Sequence, residues 1–265
     1  MTTSTPAARS SRTAAAAVVV GVDGSKGSET ALRWAARYAA RNGRELQLVH
    51  GLDLVGISSV LGTYEVVVPR VVDTVRAYGK ELVRHAERTV RELEPGLRVS
   101  VHLSADNGTH LLIGRSSAAF AVVIGATGEI GTIGHLGSTL LAVTAHAKGA
   151  VIVVRPDPQQ DNMVRDSGPV VVGVDGSPVS EAAFAEAAER QTALVAVHVW
   201  SDWSFGRFAG DDALLSLTEI EGVEEILLTE RLAGYQEKYP EVQVTKRVYF
   251  SGTCVIGPRP HNWWS

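Results

Sequence analysis

The stretch VVVGVDGS occurs twice, at residues 18–25 and 170–177, with all eight positions identical. The likeness continues through KGSETALRWAA and PVSEAAFAEAA, and LQLVH at 46–50 returns as LVAVH at 194–198. Two matches in the same order, in segments offset by 152 and 148 positions, are the mark of a tandem duplication. Any fold for these 265 residues must therefore use one supersecondary plan twice.

That plan alternates strands and helices. In the first copy, residues 18–22 are an apolar run bounded by Gly and Asp, which reads as a buried strand. Ser28 is the expected cap of a helix through Ala31, Leu32, Ala35, Ala36 and Ala39, with Gly43 as its stop. Strands follow at 46–50, 99–103, 121–125 and 151–154. Between them lie a long helix with Val71, Val75, Tyr78, Leu82, Ala86, Val90 and Leu93 on its apolar stripe, a weaker helix at 110–119 and a helix at 138–147. Five strands with helices between them imply an α/β, Rossmann-like parallel sheet covered on both faces, here expected in flavodoxin-like strand order. Ligands of such sheets sit beyond the carboxyl ends of the strands, where strand order reverses. Asp23 lies just past the first strand and Gly125 ends the fourth.

Composition removes several function classes. The 25 Lys+Arg against 29 Asp+Glu leave a net charge of −4, without the basic excess of a nucleic-acid binder. The single cysteine, Cys254, rules out an intrachain disulfide framework and fits a reducing, cytoplasmic setting. No run approaches the roughly 18 apolar residues of a membrane span. Residues 1–15 read as a disordered tail, with a transit peptide as the alternative. AAAAVVVGV has the character of a secretory core, but DGS follows it rather than a small-residue cleavage site. Eight scattered histidines show no ligand spacing. His50 and His198 at strand ends read as packing or hydrogen-bonding residues.

After the fourth strand comes GATGEIGTIGHLGST, with glycine at 125, 128, 131, 134 and 137. Glycine lets main-chain N–H groups approach a ligand, and Ser138 opens a helix whose amino end carries unpaired donors and partial positive charge. Ser138 and Thr139 add hydroxyls. A phosphate cradle and a flexible connection both fit, and Asp23 is the candidate to hold a divalent cation, magnesium, against the phosphates. The chain contains no G-x-x-x-x-G-K-[ST], and GVDGSKGS misses the G-x-G-x-x-G spacing, so a P-loop motor and a nicotinamide enzyme are disfavoured.

VVVGVDGS in both copies, LVH and AVH on the second strand, and VVIGATG…GS before the last helix resemble the universal stress protein family in its tandem form. The resemblance implies a Rossmann-like fold, binding of ATP with slow or no turnover, dimers or pairing of the two repeats, and a role in stress or dormancy. By position, Asp23 matches the strand-one acid near the nucleotide. Val49 and His50 match the strand-two end where adenine packs. Gly125, Gly128, Gly137 and Ser138, with Thr139 beside them, match the phosphate loop. The family pattern G-x2-G-x9-G-[ST] is departed from: eight residues, not nine, separate Gly128 from Gly137, and Glu129 places a carboxylate in the loop. Asp23→Ala and Gly125→Ala are expected to weaken ATP binding about tenfold and to leave the fold intact.

The expected domains are 16–156 (complete), a linker at 157–168, and 169–265. In the last, strands at 170–175, 194–199 and 242–250 and a helix near 221–238 are recognisable. The fourth strand, phosphate loop and fifth strand are not, so this copy reads as truncated and without a nucleotide site despite Asp175. The closing TCVIGPRPHNWWS matches nothing in the first copy; a frameshift or truncation is the simplest account, a recruited binding peptide the alternative. Trp200, Trp203 and Phe205 are placed in the loop after the second strand, with a partner surface as the sharper option. Residues 1–157 should fold alone, and the C-terminal half should yield first to protease. Three functions remain: an ATP-binding stress regulator or sensor, a scaffold on the same fold without nucleotide, and a slow ATPase.

Overall fold

The computed structural model describes residues 16–56, 68–126, 138–156, 164, 167–175, 179–200 and 217–250. The chain divides into two compact units, the first reaching Arg165 and the second beginning at Asp166.

Unit 1 is built from β1 (Val18–Gly21), α1 (Lys26–Arg41), β2 (Leu46–Gly51), α2 (Val68–Leu93), β3 (Val99–Ser104), α3 (Gly108–Ser116), β4 (Ala121–Gly125), α4 (Ser138–His146) and β5 (Val151–Val154). The strands form one parallel sheet in the order β3-β2-β1-β4-β5. The Rossmann-like parallel sheet is as expected, but its order is not the flavodoxin-like 2-1-3-4-5. The crossover through α2 places β3 outside β2, leaving the other edge of β1 for β4, whose Ala121 pairs with Val18. Strand order therefore reverses between β1 and β4.

Two apolar layers follow from alternation along the strands. Val18, Val20, Leu46, Leu48 and Val123 face α1 and α2. There the small residues Ala31, Ala35, Ala36 and Ala39 bring α1 close to the sheet, and Val83, Ala86 and Val90 face it from α2. Val19, Val49, Val122 and Ile124 face the other way, against Leu112 of α3 and Leu140 and Val143 of α4. Tyr78, expected on the buried stripe of α2, is 57% exposed; Gly79 is the buried residue of that turn. A glycine there makes room for Leu52, His50 and Leu103.

The cap of α1 is Ser25, three residues before the expected Ser28. Its side chain accepts a hydrogen bond from the Ser28 N–H at 3.1 Å, and the Ser28 hydroxyl turns back onto the Ser25 carbonyl at the same distance. At the other end Asn42 caps, and Gly43 takes the left-handed conformation, φ +60°, that stops the helix. Likewise α3 starts at Gly108 under Asn107, two residues before expectation.

Unit 2 repeats the first five elements: β6 (Val170–Gly173), α5 (Val179–Glu189), β7 (Leu194–Trp200), α6 (Leu217–Lys238) and β8 (Val244–Phe250). Its parallel sheet has the order β6-β7-β8, the counterpart of β1-β2-β3. Both helices pack on one face, around Phe184, Leu194, Ala196, Leu228 and Leu232. On the other face Val171 is 49% and Val199 57% exposed. Their counterparts in unit 1 are Val19, buried at 2%, and Gly51. Trp200 belongs to β7 itself and is 6% exposed, rather than lying in the loop after it. Trp203, Phe205, residues 1–15 and residues 251–265 lie outside the described residues.

Candidate functional site

The reversal between β1 and β4 brings the carboxyl ends of those strands side by side, and the sequence-derived residues fall into distinct roles around it. After β1 the chain turns through Asp23, Gly24 and Ser25. Gly24 has φ +84°, a conformation glycine adopts without cost. Asp23 Oδ1 accepts a hydrogen bond from the Ser25 N–H at 2.9 Å, and the Asp23 N–H donates to Ser28 Oγ at 3.3 Å. Asp23 therefore braces the strand-to-helix turn through one carboxylate oxygen. Among the described residues its Oδ2 takes no hydrogen bond.

Val49 is 2% exposed, its side chain inside the core under α3 and α4, and its carbonyl accepts from the Val22 N–H at 2.9 Å. His50 projects to the opposite face. Its Nδ1 lies 2.8 Å from the Val22 carbonyl oxygen, tying β2 to the residue before Asp23, in line with the hydrogen-bonding reading.

Gly125 stands against main chain. A Cβ there would collide with the carbonyl carbon and oxygen of Gly27 and lie 3.0 Å from Gly27 Cα. The glycine is needed for packing between β4 and the first turn of α1, so Gly125→Ala must displace main chain there and is expected to lower the stability of unit 1 as well as to affect the site. The separation between Gly125 and Gly27 in the sequence hid this contact.

Ser138 and Thr139 open α4 and are exposed. Thr109, in the first turn of α3, donates its hydroxyl to Thr139 Oγ1 at 3.2 Å. Asn107 Oδ1 caps α3 by accepting from the Thr109 N–H at 2.9 Å. The amino ends of α3 and α4 thus adjoin. Sequence reasoning missed Asn107 and Thr109; the signal available was an Asn one residue before Gly-Thr at the head of an apolar run. Gly128 and Gly137 lie outside the described residues. Tyr78 was also missed as a rim residue: its hydroxyl would lie 3.2 Å from a Cβ at Gly24, above the β1 turn.

A separate open cavity of about 680 Å³ lies beyond β2 and β3. Asp53, Asp106, Asn107, His110 and Arg115 are among its lining, and none of the sequence-derived site residues is. Asp53 has φ +48°, and its N–H donates to the Asp106 carbonyl at 3.1 Å, joining the loops after β2 and β3. Among the described residues no three His, Cys, Asp or Glu side chains are grouped to hold a metal ion.

Beside this cavity, burial holds the His102 imidazole below the ordinary histidine range, the Arg115 guanidinium adds to the effect, and Asp106 opposes it. A lowered folded-state value means the folded ring resists protonation, so stability is lost as pH falls below the ordinary value of about 6.5. An NMR titration is expected to place the His102 midpoint below about 6.5 and to move it upward in Arg115→Gln. A midpoint at or above that value would show that burial does not control the ring.

Among the described residues no helix is long and apolar enough to cross a membrane. A crystal structure of a universal stress protein from Archaeoglobus fulgidus shares the fold over 89% of this chain and 78% of its own, at a TM-score of 0.55 and 13% identity. Another Archaeoglobus fulgidus universal stress protein, solved in complex with dAMP, aligns over 52% of this chain and 96% of its own, with a TM-score of 0.40 and 24% identity. In sequence, a universal stress protein of Mycolicibacterium smegmatis is 37% identical over 243 residues, spanning 87% of this chain and 78% of that one. The sequence model of the Universal stress protein family matches residues 16–155 and, a second time, 167–251. Matched once over each structural unit, this chain belongs to the universal stress protein family as a tandem member.

Proposed function

We propose that unit 1 binds ATP together with magnesium and that the protein acts as a stress-response regulator or sensor rather than a fast enzyme. The observation that supports this is the reversal of strand order between β1 and β4, with the exposed hydroxyls of Ser138 and Thr139 at the adjoining amino ends of α4 and α3. A crevice at such a reversal is where parallel α/β sheets receive ligands, and helix amino ends favour anions. On this reading Gly125, Gly128, Gly137, Ser138 and Thr139 surround the phosphates. Val49 marks the β2 end against which adenine packs, with its side chain enclosed in the core and its carbonyl held by the Val22 N–H. His50 acts from beneath, by holding the Val22 carbonyl. Magnesium, when bound, neutralises phosphate charge; a single carboxylate with one free oxygen, as at Asp23, suits an ion held mainly by phosphate and water. Residues 16–156 form the nucleotide-binding domain, 157–168 the linker and 169–265 the second domain. The setting is cytoplasmic, with pairing between copies or repeats and no nucleic-acid or membrane partner.

The test replaces exposed groups, so that folding is not disturbed. The double variant Ser138→Ala/Thr139→Ala is expected to weaken ATP binding about tenfold, or about 1.4 kcal/mol, in calorimetry with magnesium present. A natural chain that takes up no ATP under those conditions would leave the scaffold reading, which the enclosed Val49 side chain favours.

A further inference from the structure

An aromatic ring stands in the open beside the point where strand order reverses. Tyr78 lies on α2, one turn before Leu82 and Val83, which pack onto the sheet, yet it is 57% exposed. Its ring reaches across the turn that follows β1: a Cβ placed on Gly24 would lie 3.2 Å from the Tyr78 hydroxyl oxygen. Gly24 is the residue between Asp23 and the Ser25 cap. Among the described residues the Tyr78 hydroxyl makes no hydrogen bond.

The place of this ring is fixed from below. Gly79, the next residue, is buried, and a Cβ there would lie 2.5 Å from Leu52 Cδ2, 3.1 Å from His50 Cδ2 and 3.2 Å from Leu103 Cδ1. Helix α2 is therefore pressed against the ends of β2 and β3 at this turn and cannot roll without a clash. A side chain carried by so rigid an element is already positioned for a ligand at the carboxyl ends of β1 and β2.

The repeat supplies a control. His50 Nδ1 meets the Val22 carbonyl oxygen and His198 Nδ1 that of Val174, both at 2.8 Å. Against His198 the place of Gly79 is taken by Glu224, whose Oε2 meets His198 Nε2 at 3.0 Å. The counterpart of Tyr78 is thus Val223, which is 51% exposed. The position is open in both units, and the fold accepts an aliphatic side chain there. The aromatic one occurs in the unit that carries GATGEIGTIGHLGST, a segment found once in the chain. A tyrosine ring left in water adds little to folding, whereas a flat π face beside a ligand crevice can take a stacked base.

We propose that Tyr78 is the nucleoside platform of unit 1, its ring stacking on the base of the bound nucleotide. This rests on the nucleotide reading of unit 1 and adds to it the side chain that holds the base. The Val49 side chain is enclosed and the His50 ring packs on Gly79, so neither offers an exposed flat face. Stacking asks only for a π face, so the platform raises affinity for any base without choosing among them. The phosphates meet other groups, the hydroxyls of Ser138 and Thr139 on α4. Tyr78 therefore separates a nucleotide from a bare polyphosphate.

Calorimetry of the full chain with magnesium tests this, with ATP and inorganic tripolyphosphate as the two probes. Tyr78→Leu keeps apolar bulk and helix propensity but has no π face. It is expected to weaken ATP binding about tenfold or more and to leave tripolyphosphate binding as it was. Tyr78→Phe keeps the face and loses no protein hydrogen bond, so it is expected to bind ATP as the natural chain does. The melting temperature of both variants should stay that of the natural chain, since Val223 fills the same place in unit 2. Equal ATP affinity in Tyr78→Leu and the natural chain overturns the proposal and leaves the nucleotide reading standing. Equal losses for the two probes also overturn it, because a distorted cradle weakens both. A loss in Tyr78→Phe as large as in Tyr78→Leu does the same, by assigning the effect to the hydroxyl. A natural chain that takes up neither probe removes the nucleotide reading itself, and the platform with it.

Discussion

Gly125→Ala is expected to destabilise unit 1 by about 2 kcal/mol or more, the range for overpacking a filled interior. The added methyl would meet main-chain atoms of Gly27, which cannot rotate away as a side chain would. Relief requires shifting the first turn of α1 off the end of β4. That turn is anchored by the Ser25 cap and by Asp23, so the displacement spreads into both strand ends beside the reversal point. For a unit of this size a melting temperature lower by roughly 4–8 °C is expected, measured in the absence of nucleotide. An unchanged melting temperature would mean that β4 and α1 separate at little cost. Lost ATP binding in this variant would then report a ligand contact; with the expected destabilisation it reports a distorted cradle. The exposed Ser138 and Thr139 are for that reason the better probes of the ligand itself.

Phe184→Ala is expected to abolish the independent folding of unit 2 and to spare unit 1. Phe184 is fully buried on α5, with ring centroids 5.6 Å from Tyr235 and 6.2 Å from Tyr239 of the α6 end. Truncating a buried phenylalanine costs about 3–5 kcal/mol. Unit 2 gathers a single described apolar cluster on one face of three strands, with Val171 and Val199 exposed on the other. A loss of that size approaches the whole stability of a small domain. Hydrogen exchange should show β6, β7 and β8 losing protection while β1, β2 and β4 keep theirs. Collapse of protection in both units would show that unit 1 depends on unit 2 for its fold.

The site was partly legible before the fold was known. Asp23, Gly125 and Ser138 could be named because each sits where an apolar run meets a turn or a helix start. What each one does was less accessible. The carboxylate of Asp23 is half committed to the Ser25 N–H, and Gly125 answers to Gly27, nearly one hundred residues earlier. Asn107 and Thr109 gain meaning only once α3 lies beside α4.

By itself the sequence determined the duplication, the parallel α/β class and the position of the strands in both units. Buried parallel strands are short apolar runs, and helices declare themselves by spacing, both properties of neighbouring residues. The tertiary structure alone decided the order β3-β2-β1-β4-β5, because a crossover helix reads the same whichever edge of the sheet its strand joins. It alone decided that Tyr78 stands exposed while Gly79 is buried, since both lie near one helical stripe and the choice depends on how α2 is rotated on the sheet. And it alone separated two histidines that the repeat makes equivalent: His50 has a glycine behind it and His198 a carboxylate, because facing residues on α2 and α6 meet the rings only after the helices dock.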